Sequence, residues 1–413
     1  MSQFSQIKTE LTPEGIQKQT KGDKAIWAIV VLLSLTSLLV VYSSTNSLAY
    51  KLHKGNTFIF LGKQLGFAAL GLAIMYISHR VNYKIYSNIA RILFILSIPL
   101  LIYTLSFGTN LNDANRWIRL PVLNFTFQSS DLAKLALFMY LSHLLSKKQD
   151  VIKDFKKGFL PLTFPIFIIC ILIAPANLST ALLTGATSML LLFIGRVNFR
   201  HLLLVGMIVI VPIITLVILA RSYYDETAGK SKDLPAILSV KRVPTWIHRA
   251  QDFMYAKNDE SPYQVQQAKI AVAKGGFMGL GPGNSEQRNF LPHPYSDFIY
   301  AIIIEEYGLV GGAFIVFIYL IFLFRSIKIF RRCPYAFGAF LSIALSFTLV
   351  IQAMTNMAVN VGLFPVTGVT LPLVSMGGSS IIFTSLAIGI ILSVARHVEE
   401  AEGNPTPAKE VAV

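Results

Sequence analysis

The sequence predicts an all-α fold, a polytopic membrane protein of about ten helices, and three observations predict it. Apolar runs of roughly 20 residues recur along nearly the whole chain, the length a helix needs to cross a hydrocarbon core roughly 30 Å thick. The 413 residues are 54% hydrophobic and only 14% charged, too apolar for a chain of this size to stay dispersed in water. No strand-period alternation points to a barrel, the other closed structure that lipid tolerates.

Taken in order, residues 1–24 are polar and mixed in charge. They lack the apolar core and small-residue cleavage site of a signal peptide, so the first span reads as an uncleaved anchor. Apolar runs follow at 25–45, 58–78, 88–107, 129–146, 159–175, 179–195, 201–220, 297–324, 337–360 and 371–396. Ten spans return both ends to one side. The fifth and sixth are separated only by Ala174 to Leu178 and interrupted by Pro161, Pro165 and Pro175, which leaves a re-entrant pair as the alternative. One transmembrane domain over 25–398 and a flexible tail over 399–413 complete the expected organisation.

Charge sets the orientation. Bases cluster in alternate connections: the amino-terminal tail, Arg80 and Lys84, then Lys147 to Lys157, Arg196 and Arg200, and Arg325 to Arg332. The positive-inside rule makes those loops and both termini cytoplasmic, so the loops holding Arg116, Asp297 and Gly362 face outward. The formal charge of +15 sits in short loops rather than along a nucleic-acid motif. Lipid headgroups account for it, and nucleic acid is not an expected partner. Cys170 and Cys333 alone give no disulfide framework.

The long insertion at 221–295 is the one large outer loop. Trp246, Ile247, Ala250, Phe253 and Met254 fall on one helical face, opposite His248, Arg249, Gln251 and Asp252, which predicts an amphipathic helix lying on the membrane surface. A second helix starts with Ser261 as cap and Pro262 at its first position, and carries Val265, Ala268 and Val272 on one face.

Several polar residues occupy costly positions. Asp297 stands where the eighth span begins, after Pro292, Pro294 and Ser296. A helix cap and a reactive carboxylate are both open readings there. Glu305 and Glu306 lie about 12 Å deeper in a regular helix, where an acid costs about 2.5 to 3.5 kcal/mol against lipid. Adjacent residues point about 100 degrees apart, so the two do not form one dyad. Structural hydrogen bonding is the favoured reading for both, with substrate contact the alternative.

The segment Gly275 to Arg288 is glycine-rich, and either brings amides to a phosphate or makes a set of tight turns. It lacks the lysine and strand-to-helix setting of a nucleotide loop. Arg116 and Trp117 supply guanidinium and indole at an interface, where they are also ordinary membrane anchors. Asp131 and Lys134 are spaced to pair along a helix, and Lys134 could instead meet an anion in a cavity. Gln352, Asn356 and Asn360 recur every four residues in the ninth span, a stripe that bonds neighbouring helices or lines a wet cavity. The segment from Gly362 to Ser380 carries two prolines and four glycines, which predicts irregular backbone at a span entrance.

These segments together resemble the SEDS family, the shape, elongation, division and sporulation proteins of FtsW and RodA type. Asn115-Arg116-Trp117-Ile118 is similar to the family's A-N-R-W-I, and Gln128-Ser129-Ser130-Asp131 with Lys134 to its Q-P-S-E-x-x-K. Gly279 to Arg288 resembles G-x-G-x-G-x-S-x-Q-K, with D-F-I at Asp297 and E-E-x-G at Glu305 following in the expected order. The stretch from Pro365 to Ser379 resembles the longest signature of the family. The motif order looks more like the FtsW type than the RodA type. Departures are Ser130, Asp131, Met376 and, most notably, Asn177 and Ser179 where the family has P-D-x-G-T.

The resemblance implies a peptidoglycan glycosyltransferase of the bacterial cytoplasmic (inner) membrane. It polymerises lipid II at the outer face beside a class B penicillin-binding protein and other divisome or elongasome membrane proteins. Asp297 takes the base role in this reading. Arg116, Lys134, Arg242, Lys274 and Arg288 are candidate contacts to the diphosphate. Trp117, Ser285, Gln287, Asn356, Thr367, Ser375, Gly377 and Ser379 complete the expected substrate surface, while Asp131, Glu305, Glu306, Gln352 and Asn360 are structural polar groups. A divalent cation could assist, though no ligand cluster demands one. A lipid II flippase and a non-catalytic division scaffold are the competing readings.

Overall fold

A computed structural model describes residues 22–111, 114–120, 125–225, 230–231, 235, 243–255 and 263–403. Among these residues, ten long helices follow the ten expected runs. They are α1 (Lys24–Ser44), α3 (Phe58–Arg80), α4 (Tyr83–Phe107), α5 (Ser129–Lys147), α6 (Leu160–Ile173), α7 (Leu178–Ile194), α8 (Phe199–Ser222), α11 (Ile299–Arg332), α12 (Ala336–Asn360) and α13 (Gly378–Gly403). Short helices α2 (Asn46–His53), α9 (Val243–Tyr255) and α10 (Tyr263–Gly275) lie in the connections. Among the described residues, eight helices are long and apolar enough to cross a membrane. The other two long ones are α5, which carries Asp131 and Lys134, and α7, which has 17 residues.

Burial explains how α5 tolerates its charges. Leu135, Ala136, Leu137, Phe138 and Met139 are all buried in succession, so protein covers every face of this helix. Helices α12 and α13 are buried over most of their length, while α8 buries only Leu202, Val205 and Ala220. Close approach of α3 to α13 depends on small residues. A Cβ on Gly71 would lie 2.7 Å from Ser385 Oγ, and one on Gly389 would lie 2.7 Å from the Met75 carbonyl oxygen.

One corner follows the expected pattern and the two ends of the final helix depart from it. Asn177 accepts the Thr180 N–H at 3.2 Å and caps α7, so the fifth and sixth runs form two separate helices around a tight corner. The final helix begins at Gly378, because residues 361–377 are non-helical and Leu373 adopts a φ of 63°. It then runs to Gly403, past the boundary at 399, and Glu399 accepts the Gly22 N–H at 2.6 Å.

The loop between α4 and α5 also holds structure that composition did not signal. Strands β1 (Thr109–Leu111), β2 (Ala114–Leu120) and β3 (Phe125–Gln128) form a small antiparallel sheet, with Ile118 opposite Phe127. Two-residue strands β4 (Tyr224–Asp225) and β5 (Lys230–Ser231) follow α8. The amphipathic helix forms as α9, with Ile247 buried, but Gln251 is buried too. Its amide donates to the carbonyls of Ala220 at 2.9 Å and Tyr223 at 3.1 Å, satisfying the end of α8. Ser261, Pro262 and Arg242 lie outside the described residues.

Candidate active site

Helix α11 is not continuous. Gly308 has φ 68° and ψ −173°, so the ladder of hydrogen bonds stops there. The glycine-rich segment replaces the missing bonds. Leu280 and Gly281 donate N–H groups to the carbonyls of Glu305 and Glu306 at 2.9 Å each, while Leu309 and Val310 donate to those of Gly276 at 3.0 Å and Phe277 at 3.4 Å. This satisfies at membrane depth the polar groups that the break exposes. Only glycine permits the approach: a Cβ on Gly279 would lie 2.3 Å from the Glu306 oxygen, and one on Gly308 would lie 2.2 Å from the Phe277 oxygen. Backbone packing therefore engages these amides, which the sequence had left open to a phosphate.

The two glutamates complete this clasp. Glu305 is fully buried and accepts from the Ser285 hydroxyl and from the N–H groups of Glu286 and Gln287, each at 3.1 Å. Glu306 accepts from the Ser43 hydroxyl of α1, and Arg288 Nη1 donates to Ser43 Oγ at 3.0 Å. Ser285 and Gln287 are buried here. Lys274 instead pairs with Glu286 at an exposed position.

Asp297 stands in a different setting. The cap position of α11 is Phe298, with no side-chain cap bond, and Asn360 Oδ1 takes the Ala301 N–H at 3.0 Å. The Asp297 carboxylate is half-buried and accepts from Ser296 Oγ at 2.9 Å. Its backbone carbonyl is held by Asn356 Nδ2 and Asn360 Nδ2, both at 2.9 Å. The side chain is thus steered by its backbone. Burial, and then the charge of Asp297, push the Tyr295 phenol above its ordinary pKa.

Across from it lies Arg116 on β2. Its Nε donates to the Ala176 carbonyl at 2.8 Å. The place a Cβ on Gly368 would occupy is 3.5 Å from Arg116 Nη1 and 3.6 Å from Asp297 Oδ2. Guanidinium and carboxylate therefore flank one space over a bare glycine, whose φ of 66° also disfavours any side chain. Trp117, the next residue on the strand, is half-buried and points to the opposite face.

The irregular segment beneath this space is tied down from every side. Arg249 Nη1 donates to the Val366 carbonyl at 3.2 Å, Asn356 Nδ2 to Val369 at 2.7 Å and Gln352 Nε2 to Thr370 at 3.0 Å. The Tyr319 hydroxyl donates to the Pro372 carbonyl, and Ser37 Oγ to that of Val374 at 2.7 Å. Ser375 Oγ accepts the Leu371 N–H at 2.8 Å and donates to the Ser296 carbonyl at 2.6 Å. Met376 N donates to the Tyr295 carbonyl at 2.8 Å. Thr367 is buried in the same segment and Ser379 in the first turn of α13, and Gly377 accepts the Ile381 N–H at 3.0 Å.

A third polar group adjoins it. Lys134 Nζ lies 2.9 Å from Asp131 and donates to Gln352 Oε1 at 3.3 Å. Lys134 and Gln352 line two small cavities, of about 40 Å3 and about 20 Å3, the first shared with Ser380 and the second with Thr180 and Thr184. Among the described residues no group of three His, Cys, Asp or Glu side chains gathers to hold a metal ion.

The structure thus brings Asp297, Arg116, Asn356, Asn360 and Ser375 to one centre, with Lys134, Asp131 and Gln352 connected through Thr370. It draws Ser285, Gln287, Arg288, Glu305 and Glu306 into the clasp. Sequence reasoning missed Gly368, Ser296, Arg249, Ser37 and Gln64. Of these Gln64 carried a signal, an amide inside the apolar run of α3.

The whole arrangement has relatives. A family model described as cell cycle protein, of FtsW, RodA and SpoVE, matches residues 23–400. The chain belongs to that family. It is 32% identical to stage V sporulation protein E of Bacillus subtilis over 387 residues, 92% of this chain and 98% of that one. It is also 32% identical to the probable peptidoglycan glycosyltransferase FtsW of Geobacter sulfurreducens, over 94% of this chain and 98% of the relative. In fold it resembles a chain from a peptidoglycan synthase complex that coordinates polymerization and crosslinking, with a TM-score of 0.69, 22% identity and coverage of 91% and 98%. The rod shape determining protein RodA of Thermus thermophilus aligns with a TM-score of 0.63, 21% identity and coverage of 91% and 97%. The family's polytopic α-helical architecture is therefore the architecture of this chain.

Proposed function

We propose that Asp297 is the general base of a peptidoglycan glycosyltransferase. The chain polymerises lipid II into glycan strands in the cell division branch of its family, in the bacterial cytoplasmic membrane. One observation carries the base assignment: the Asp297 carboxylate is not used to cap α11 and shares the space over Gly368 with the Arg116 guanidinium. In the reaction the acceptor sugar hydroxyl gives its proton to Asp297 as its oxygen attacks the anomeric carbon of the donor. The bond from that carbon to the lipid diphosphate breaks with inversion. Arg116, with Lys134 nearby, stabilises the negative charge that accumulates on the departing diphosphate. A diphosphate leaves readily, so no second carboxylic acid is required, unlike in glycosidases.

Charge in the loops supports ten membrane crossings with both termini cytoplasmic and the Asp297 centre at the outer face. A class B penicillin-binding protein is the partner this reading calls for, since a nascent glycan needs crosslinking. The test is polymerisation of lipid II by the purified chain with that partner, comparing wild type with Asp297→Asn. Loss of product is expected, and full-length glycan from the variant would overturn the base assignment.

A further inference from the structure

We infer that Gln64 on α3 and Ser37 on α1 are positioning residues for Asp297, acting through the carbonyl of Val374. The inference rests on the base role proposed above. Gln64 Nε2 donates to Ser37 Oγ at 2.6 Å, and Ser37 Oγ donates to the Val374 carbonyl at 2.7 Å. The next two residues of the same irregular segment, a strap over residues 361–377, hold the backbone just ahead of Asp297. Ser375 Oγ reaches the Ser296 carbonyl at 2.6 Å, and Met376 N reaches that of Tyr295 at 2.8 Å. Hydrogen bonds therefore run from one membrane helix, through a second, to the segment that aims the carboxylate.

Two features set this pair apart from ordinary buried polar side chains. Hydroxyls within these helices usually return to their own backbone, as Thr36 does to Leu32, Ser142 to Phe138 and Ser346 to Ser342. Ser37 instead reaches a carbonyl 337 residues away. A hydroxyl has one proton, so taking an N–H from Gln64 on its oxygen leaves that proton for the Val374 carbonyl. Turning the Gln64 amide over would make Ser37 donate to Gln64 and leave Val374 without its donor.

The second feature is the cost. Gln64 and Ser37 are each 1% exposed, and Gln64 Oε1 has no hydrogen-bond partner among the described residues. It lines a small cavity with Ser34, Ser37, Leu373 and Ser385. A leucine would suit this place better for stability alone, because a buried acceptor left unpaired is destabilising. What the amide secures is a strap in which Leu373 is held at a φ of 63°, a strained conformation that relaxes once its anchors go.

Lipid II polymerisation by the full chain with its crosslinking partner tests this, alongside thermal unfolding of the same preparations. Ser37→Ala and Gln64→Leu are each expected to lower kcat by about tenfold to a hundredfold, the scale of a small misplacement of a reacting group. KM should stay within about twofold. Gln64→Leu should melt no lower than wild type, the double variant should be no slower than the slower single one, and Ser37→Thr should restore the rate. Wild-type kcat in both single variants would overturn the inference, as would losses that multiply, a Ser37→Thr variant as slow as Ser37→Ala, or a Gln64→Leu variant that melts lower as it slows. Should Gln64→Leu fail to fold, the inference is overturned as well. An Asp297→Asn arm separates the two ideas. Full activity there removes the base role, whereas an inactive Asp297→Asn beside fully active Ser37→Ala and Gln64→Leu removes only the positioning role.

Discussion

Glu305 and Asp297 are acids on or just ahead of the same helix, and their surroundings could hardly differ more. Glu305 is fully buried and receives a hydroxyl and two backbone N–H groups. Asp297 is half-buried, receives one neighbouring hydroxyl, and has its backbone rather than its carboxylate held by asparagines. A saturated carboxylate fixes a fold. A carboxylate whose backbone is fixed while its oxygens face a space beside a guanidinium fits the base role proposed for it.

Breaking the Glu305 side should give the largest effect. Gly308→Ala places a Cβ on the Phe277 oxygen at a backbone angle that only glycine accepts easily, and a loss of more than about 4 kcal/mol is expected. Thermal unfolding and yield in detergent report it, and a variant as stable as wild type would show that the break in α11 is not held by the glycine segment. Asp297→Asn should do the converse, leaving the melting temperature unchanged while activity falls by about a hundredfold or more.

Gly368→Ala sharpens the contrast from the middle. It strains the backbone by about 1–2 kcal/mol and also fills the space between Arg116 and Asp297, so activity should drop further than stability alone explains. Glu305→Gln should cost about 1–3 kcal/mol, because an amide must set its own N–H against backbone donors. Its remaining folded fraction should polymerise at the wild-type rate. A pure rate defect in Glu305→Gln would move that residue into the chemistry.

The smallest effect belongs to an exposed third acid. The Lys157 N–H bound to Asp154 holds that carboxyl below its usual pKa. Folded-state depression means its contribution is present above the unfolded value and fades as pH falls through the folded one. Protection factors of the amides of residues 155–159, taken against the intrinsic exchange rate at each pH, should fall only on acidification below the ordinary carboxylate range, and Asp154→Ala should abolish that dependence.

Much of this contrast was legible in residue order. Apolar runs located the ten long helices, and prolines with glycines marked the irregular strap from Gly362 to Ser380. Asp297 stood out because a carboxylate at the mouth of a span is costly. The stripe of Gln352, Asn356 and Asn360 was visible as polar, but whether it lined water or bonded neighbours depended on which carbonyls lay opposite. Those carbonyls belong to Asp297, Val369 and Thr370. The glycine segment was harder still, since its amides pair with a helix break about 25 residues away in sequence. No periodicity encodes such a partner. Arg249 was placed on the polar face of the amphipathic helix, yet it donates to the Val366 carbonyl, a partner no periodicity shows.

The splice between the glycine segment and α11 carries a lesson for anyone who would modify this chain. Residues 276–287 look like a surface connection, the usual home for an epitope tag or fluorescent insert, yet one end of that stretch is stitched into a broken helix and the other is held by the Glu305 carboxylate. A residue inserted between Leu280 and Gln287 would shift the stitch against the donors of Glu305. Engineers should treat this loop as if it were core.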